Sequence, residues 1–321
     1  MTTWKLIGNI IPPMSKLKWE NEFDVYKNTP EYKYNEYKDE MLLYDFKRIY
    51  YKEWIHRIWG RSIGIIFGLP ALYFMTRKSV PYSLKKRIVI YGCLIGFQGV
   101  LGWYMVKSGL DKEKDWSKET VKVSKHRLAA HMGTAVGLYC LMFWSTLTIL
   151  KPVRQIKTSI IIANTINKMR KLNYMFKLSL FSTIIMGSYV AGLRAGLVYN
   201  SWPKFADRWI PEDIFFRLPF YKNFYENPVA VQFIHRSMAY MTLIISLNLA
   251  YISSKCNSHL SKHARYARNT LVTSVIVQIA LGIFTVLHYV PTSLALLHQT
   301  NSIGTMSSAL WLAHEIRKIP K

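Results

Sequence analysis

The sequence predicts an all-α integral membrane protein made of two pseudo-repeated four-helix bundles, a 4+4 plan whose first helix is absent, so that about seven transmembrane helices remain. Three observations predict this: seven long apolar stretches, basic residues concentrated in alternate loops, and an internal duplication offset by about half the chain.

The apolar stretches lie at 56–76, 87–107, 128–150, 174–199, 231–252, 270–288 and 294–314. Each is near or above the roughly 18–20 residues that a helix needs to cross a hydrocarbon core. The mean hydropathy of only +0.07 conceals them, because the charged residues 1–55 and the loops dilute the average. The chain therefore divides into an outer-face segment 1–55, a first half-bundle 56–150 with three spans, a basic inner linker 151–173, a four-helix bundle 174–314 and a basic tail 315–321.

A net charge of +25 on 321 residues would suit nucleic-acid binding in a soluble protein, so its placement decides its meaning. Segments 77–87, 151–171, 255–268 and 315–321 carry 18 Lys and Arg against one acid, Glu315. Segments 1–55, 107–127 and 200–230 carry 20 against 17 acids and are nearly neutral. Such asymmetry is the positive-inside signature, which places the basic loops and the C-terminus on the matrix or cytoplasmic side and leaves nucleic acid no role. Cys93 and Cys140 fall within spans and Cys256 in a basic loop, so no disulfide is expected. The first residues lack the apolar core of a signal peptide and soon turn acidic, unlike an import presequence.

The duplication pairs Trp54-Ile55-His56-Arg57 with Phe233-Ile234-His235-Arg236, and Gln98-Gly99-Val100-Leu101-Gly102 with Gln278-Ile279-Ala280-Leu281-Gly282. It also pairs Ala130-His131 with Leu297-His298, and Thr3-Trp4-Lys5 with Ser201-Trp202-Pro203-Lys204. The last match follows span 174–199 in the second half but opens the chain in the first, which is why one helix is counted as absent.

Four histidines thus recur at one depth, on spans that all run inward from the balanced face. An unpaired imidazole inside a bilayer is costly. A haem iron takes two axial imidazoles, so His56 with His131, and His235 with His298, are expected to hold one haem per half. Arg57, Arg61 and Arg236 sit beside these histidines where propionates would need charge-assisted partners. His126, His259, His263, His288 and His314 are read as solvated or structural. The halves differ three residues before the leading histidine, with Glu53 in the first and Gln232 in the second. Only the carboxylate transfers protons, which makes the first half the expected reaction chamber. A purely electron-carrying di-haem cytochrome of the b type, or a transporter built on the repeat, would use the same framework with less need of that difference.

These residues, with Asn21-Glu22-Phe23, Pro30-Glu31-Tyr32-Lys33, Arg127-Leu128-Ala129-Ala130-His131, Ala191-Gly192-Leu193-Arg194-Ala195-Gly196 and Tyr199-Asn200-Ser201-Trp202-Pro203, resemble the heme A synthase family over nearly the whole chain. The resemblance implies oxidation of a ring methyl of haem O to a formyl group, giving haem A for cytochrome oxidase, with a bound haem b assisting. It implies that Glu53, His56 and His131 serve the substrate haem and that His235 and His298 ligate haem b. Its implied partners are haem O synthase, a ferredoxin-type electron donor, cytochrome oxidase assembly factors and membrane lipid, with a separate peptide as one source of the absent helix. The long outer segment before Glu53 and the lack of paired outer-face cysteines resemble the mitochondrial branch, which implies the inner membrane with basic loops facing the matrix.

Overall fold

The computed structural model describes residues 10–34, 40–109, 122–151 and 160–317. The match at Thr3-Trp4-Lys5 and most of the basic tail lie outside the described residues. The ordered elements are helical: α1 (Lys16–Lys27), α2 (Pro30–Lys33), α3 (Leu43–Thr76), α4 (Tyr82–Lys107), α5 (Lys125–Leu150), α6 (Ile160–Leu193), α7 (Asn223–Glu226), α8 (Pro228–Ser254), α9 (Lys262–Leu287) and α10 (Thr292–Ile316). Short 3-10 turns punctuate the connection between α6 and α7.

Among the described residues six helices, α3, α4, α5, α6, α8 and α9, are long and apolar enough to cross a bilayer. This is a multi-pass membrane protein. The seventh expected span forms as α10 but falls outside that set, and its burial explains why. Ser302, Thr305, Ser308, His314 and Glu315 on α10 are all buried, so this helix meets protein more than lipid and tolerates polar groups. Two spans are longer than expected. At 34 residues each, α3 and α6 run for about 51 Å, well beyond a core of about 30 Å. The basic linker is correspondingly shorter, since α6 begins at Ile160.

The chain forms two compact units, Met1–His131 and Met132–Lys321. The division falls inside α5, immediately after His131. In the second unit Tyr139 on α5 shares a 2.7 Å hydroxyl contact with Ser307 on α10, and Trp144 meets the His314 ring edge-on at 5.8 Å. His314 is fully buried there with Arg317 2.7 Å from its Nε2, a structural histidine.

In the first unit the outer extension of α3 carries an aromatic layer. Phe46 and Tyr50 pack against Trp19, Phe23 and Tyr26 of α1, with Trp19–Tyr50 centroids 5.0 Å apart and Phe23 stacked on Phe46 at 5.1 Å. Ser15 caps α1 by accepting the Lys18 amide. The Tyr26 phenol is buried, and its hydroxyl finds no partner among the described residues. Burial pushes its ionisation above the ordinary value of 10.0. Because the folded-state value is the higher one, stability is intact below pH 10 and falls as alkali ionises the unfolded chain first. Removing the orphan hydroxyl in Tyr26→Phe is expected to stabilise this layer by about 1 kcal/mol and to blunt its alkaline loss. Thermal unfolding at neutral and alkaline pH checks both, and a lower melting temperature for Tyr26→Phe at neutral pH would count against it.

The second unit is a bundle of α6, α8, α9 and α10. Its core combines Ile166, Met169, Phe176 and Leu180 of α6 with Ile245 and Leu249 of α8, Leu271 and Val275 of α9, and Met306 and Leu312 of α10. Polar bonds join the helices where lipid offers none: Ser179 to Thr242 at 2.8 Å, and the Asn173 amide to the Ala309 carbonyl at 3.0 Å. Helix α8 starts sharply because Pro228 occupies its first turn and Asn227 accepts the amides of Val229 and Ala230.

Candidate functional site

The second unit brings the rings of His235 of α8 and His298 of α10 together, one edge-on to the other. Their ring centroids lie 6.4 Å apart with the planes at 77°. Two imidazoles bound to one metal at about 2.0 Å, each with a ring radius of about 1.15 Å, would place their centroids about 6.3 Å apart. The observed spacing therefore fits a bis-imidazole metal site.

Neighbouring helices make room for both rings with glycine. A Cβ added at Gly187 of α6 would stand 3.2 Å from the His235 Cε1, and one at Gly282 of α9 would stand 3.0 Å from the His298 Cε1. Each contact is tighter than ordinary van der Waals packing permits. One turn before Gly282, on the same face of α9, the Gln278 amide nitrogen lies 3.2 and 3.3 Å from the two His298 ring nitrogens and donates to the His298 carbonyl at 3.0 Å. Asn301 in turn donates to the Gln278 Oε1 at 2.7 Å and to the Ser274 carbonyl at 2.9 Å, tying α10 to α9. His288, at the end of α9, has its Nδ1 2.9 Å from the Phe284 carbonyl and takes no part in the pair.

Above the pair, the stretch from Tyr199 to Pro203 forms a roof. Asn200 donates to the Val286 carbonyl at 2.8 Å, and Trp202 donates to the Tyr240 hydroxyl at 3.0 Å. The Tyr199 carbonyl accepts from both Gln232 (3.0 Å) and Arg236 (3.1 Å), one turn apart on α8. The Arg236 guanidinium also lies 4.3 Å over the Phe205 ring. Its Nη1 and the Gln232 Oε1 are buried without a hydrogen-bond partner among the described residues. A buried guanidinium nitrogen with no protein acceptor, one residue from an axial-type histidine, suits an anionic ligand group.

In the first unit His56 lies on α3 and His131 on α5. His56 is exposed and His131 half-buried. Gly102 of α4 repeats the glycine rule, with its added Cβ 3.2 Å from the His131 Cε1. Arg57 engages Glu53 in a 2.6 Å ion pair, one helical turn apart, so the guanidinium already has a carboxylate partner. Arg61 follows one turn further along α3.

In the sequence Gln98/Gly102 and Gln278/Gly282 stand out only as marks of the duplication. Their four-residue spacing places each pair on one helix face, and that was the available signal. Gly187 and Asn301 carried no comparable mark. Among the described residues the three cysteines are free.

The fold and the facing histidines of the second unit define a multi-helix membrane protein with two imidazoles at a spacing that suits a shared metal. Over residues 1–310 the chain matches the model of the cytochrome oxidase assembly protein family. Curated relatives agree: the heme A synthases of Bos taurus and Homo sapiens are 41% and 40% identical over the whole of this chain and 76% of their own length. A bacterial heme A synthase, from Nitrosospira multiformis, is 37% identical over 98% of this chain and 84% of its own. The chain belongs to this cytochrome oxidase assembly family.

Proposed function

We propose that the protein is a heme A synthase that oxidises a ring methyl of haem O to a formyl group, with a haem b held between His235 and His298. The observation that carries the haem b assignment is the 6.4 Å spacing of those two imidazoles, flanked by Gly187 and Gly282. Haem b, when bound, supplies reversible one-electron chemistry. Gly187 and Gly282 leave the space the rings occupy, Gln278 and Asn301 fix the His298 rotamer, and Arg236 offers its Nη1 to a propionate.

The substrate haem O is assigned to the first half, between His56 and His131. Glu53, on the same α3 face as His56 and one turn before Arg57, is the proton-handling group of this half. Oxidation of the methyl is coupled to proton transfer, for which a titratable group must stand at hand. Glu53 is partly accessible, with 26% of its side chain exposed, whereas Gln232 at the matching place is buried and bonded to a backbone carbonyl. The first site can exchange protons with the outer face; the second is built to stay fixed. The placement that goes with this activity is the mitochondrial inner membrane with the basic loops towards the matrix. Haem O synthase, a ferredoxin-type donor and oxidase assembly factors are the proposed partners.

Extraction of haems from the purified protein tests the reading: haem b together with haem O or haem A is expected, and haem b alone would point to an electron-transfer cytochrome instead. The glycine contacts give a second test. Gly282→Ala should force the His298 ring aside at a cost of ~1–3 kcal/mol and weaken low-spin haem b retention, more than Gly187→Ala with its looser 3.2 Å approach. Equal spectra in both variants would remove the glycines from the argument.

A further inference from the structure

At the end of the second bundle remote from His235, the C-terminal turns of α8 and the start of α9 enclose a groove of about 560 Å3. It is lined by Ala250 and Ser254, one turn apart on α8, by Asn257 in the connection, and by Arg268, Asn269, Val272 and Thr273 of α9. Ala250 lies 15 residues beyond His235 on the same helix, about 22 Å along its axis, so the groove is separate from the histidine pair.

Arg268 is held at the mouth by neutral partners alone. Its Nη1 donates to the Asn257 Oδ1 at 3.0 Å and to the Ser253 hydroxyl at 3.3 Å, while Nε and Nη2 donate to the Asn269 Oδ1 at 3.0 and 2.9 Å. These bonds fix the guanidinium, but none neutralises it, and among the described residues no ion pair to Arg268 forms. Residues 254–270 contain Lys255, Lys262, Arg265 and Arg268 and not one Asp or Glu. Because Asn257 and Asn269 accept through Oδ1, their amide N–H groups are left as donors beside the charge, together with the Thr273 hydroxyl, while the Ser254 hydroxyl donates to the Tyr251 carbonyl at 2.7 Å.

The level of the groove identifies its occupant. Tyr251 and Tyr266 are exposed close by, with the Lys255 and Lys262 ammonium groups 4.5 and 5.6 Å from their rings. Exposed tyrosine beside lysine at a helix end marks the headgroup layer of a bilayer. A site there presents a fixed cation and neutral donors at its mouth and the apolar side chains of Ala250 and Val272 along its wall. We propose that this groove binds an anionic phospholipid from the basic-side leaflet, its phosphate on Arg268 and the neighbouring amide and hydroxyl donors, one acyl chain along Ala250 and Val272. Basic pockets between transmembrane helices on this side of a membrane recognise such headgroups, each cation contributing about 1 kcal/mol.

The test uses the full chain in nanodiscs of phosphatidylcholine mixed with phosphatidylglycerol, extracted gently and weighed with its retained lipid by native mass spectrometry. The wild type is expected to keep phosphatidylglycerol over phosphatidylcholine. Arg268→Gln should lose that preference about fivefold. Ala250→Leu, which fills the groove and leaves every charge in place, should lose it as well, while Lys255→Gln should keep most of it. Retention unchanged in both Arg268→Gln and Ala250→Leu would overturn the proposal. So would equal losses in Arg268→Gln and Lys255→Gln with none in Ala250→Leu, the pattern of diffuse surface charge. Glycerol phosphate competing as well as the whole lipid would reduce the groove to an anion site and remove the lipid assignment.

Discussion

His298→Ala is expected to abolish six-coordinate haem b binding while leaving the bundle folded. The imidazole is one of two rings at axial spacing, and the side chain is half-buried against Gly282 rather than wedged in the apolar core. Losing a partner that merely orients a metal ligand typically costs 10–100-fold in affinity, so losing the ligand itself should weaken haem b retention by more than roughly 100-fold. His235→Ala should have the same effect, because either change leaves one axial ligand. The optical and electron paramagnetic resonance spectra of the purified variants read the result. Exogenous imidazole should restore the low-spin signal in both, because the removed ring leaves a space of its own shape. A low-spin haem b that persists in His298→Ala without added imidazole would refute the assignment.

Glu53→Gln, the second large effect, separates chemistry from cofactor binding. The substitution makes the first half resemble the second, where Gln232 occupies the matching place. It keeps the shape but removes the proton acceptor and the charge partner of Arg57. General acid–base groups contribute about 10²–10⁴-fold, so conversion of haem O should fall by that factor. The haem b spectrum should not change, since His235 and His298 belong to the other unit. Arg57→Gln adds the complementary reading: a carboxylate released from its ion pair should shift the pH profile of the remaining activity, which a merely structural arginine would not do. Full turnover in Glu53→Gln would exclude this carboxylate from the reaction.

Membership of the cytochrome oxidase assembly family agrees with what was legible in the chain, because several of the residues that carry the resemblance stand at the histidine pairs or one turn from them. Glu53, His56 and Arg57 fall on one helix, and their one-turn spacing already announced a shared face. The roof over the second pair was less legible. Tyr199 contributes through its backbone carbonyl, which accepts from Gln232 and Arg236, and a carbonyl has no sequence signature. Gln278 was visible as a repeated letter, but its contact with His298 depends on how α9 is rotated against α10.

The sequence alone determined the helical class, the membrane location, the sidedness of charge, the duplication and the four histidines, since hydropathy, charge and repetition are properties of a line of residues. The tertiary structure decided that His235 and His298 meet at 6.4 Å, that glycines stand behind the rings, that α10 buries polar groups, and that the compact units part after His131. Those facts depend on helix rotation, depth and close packing, which arise only when segments far apart in the chain exclude one another from the same space.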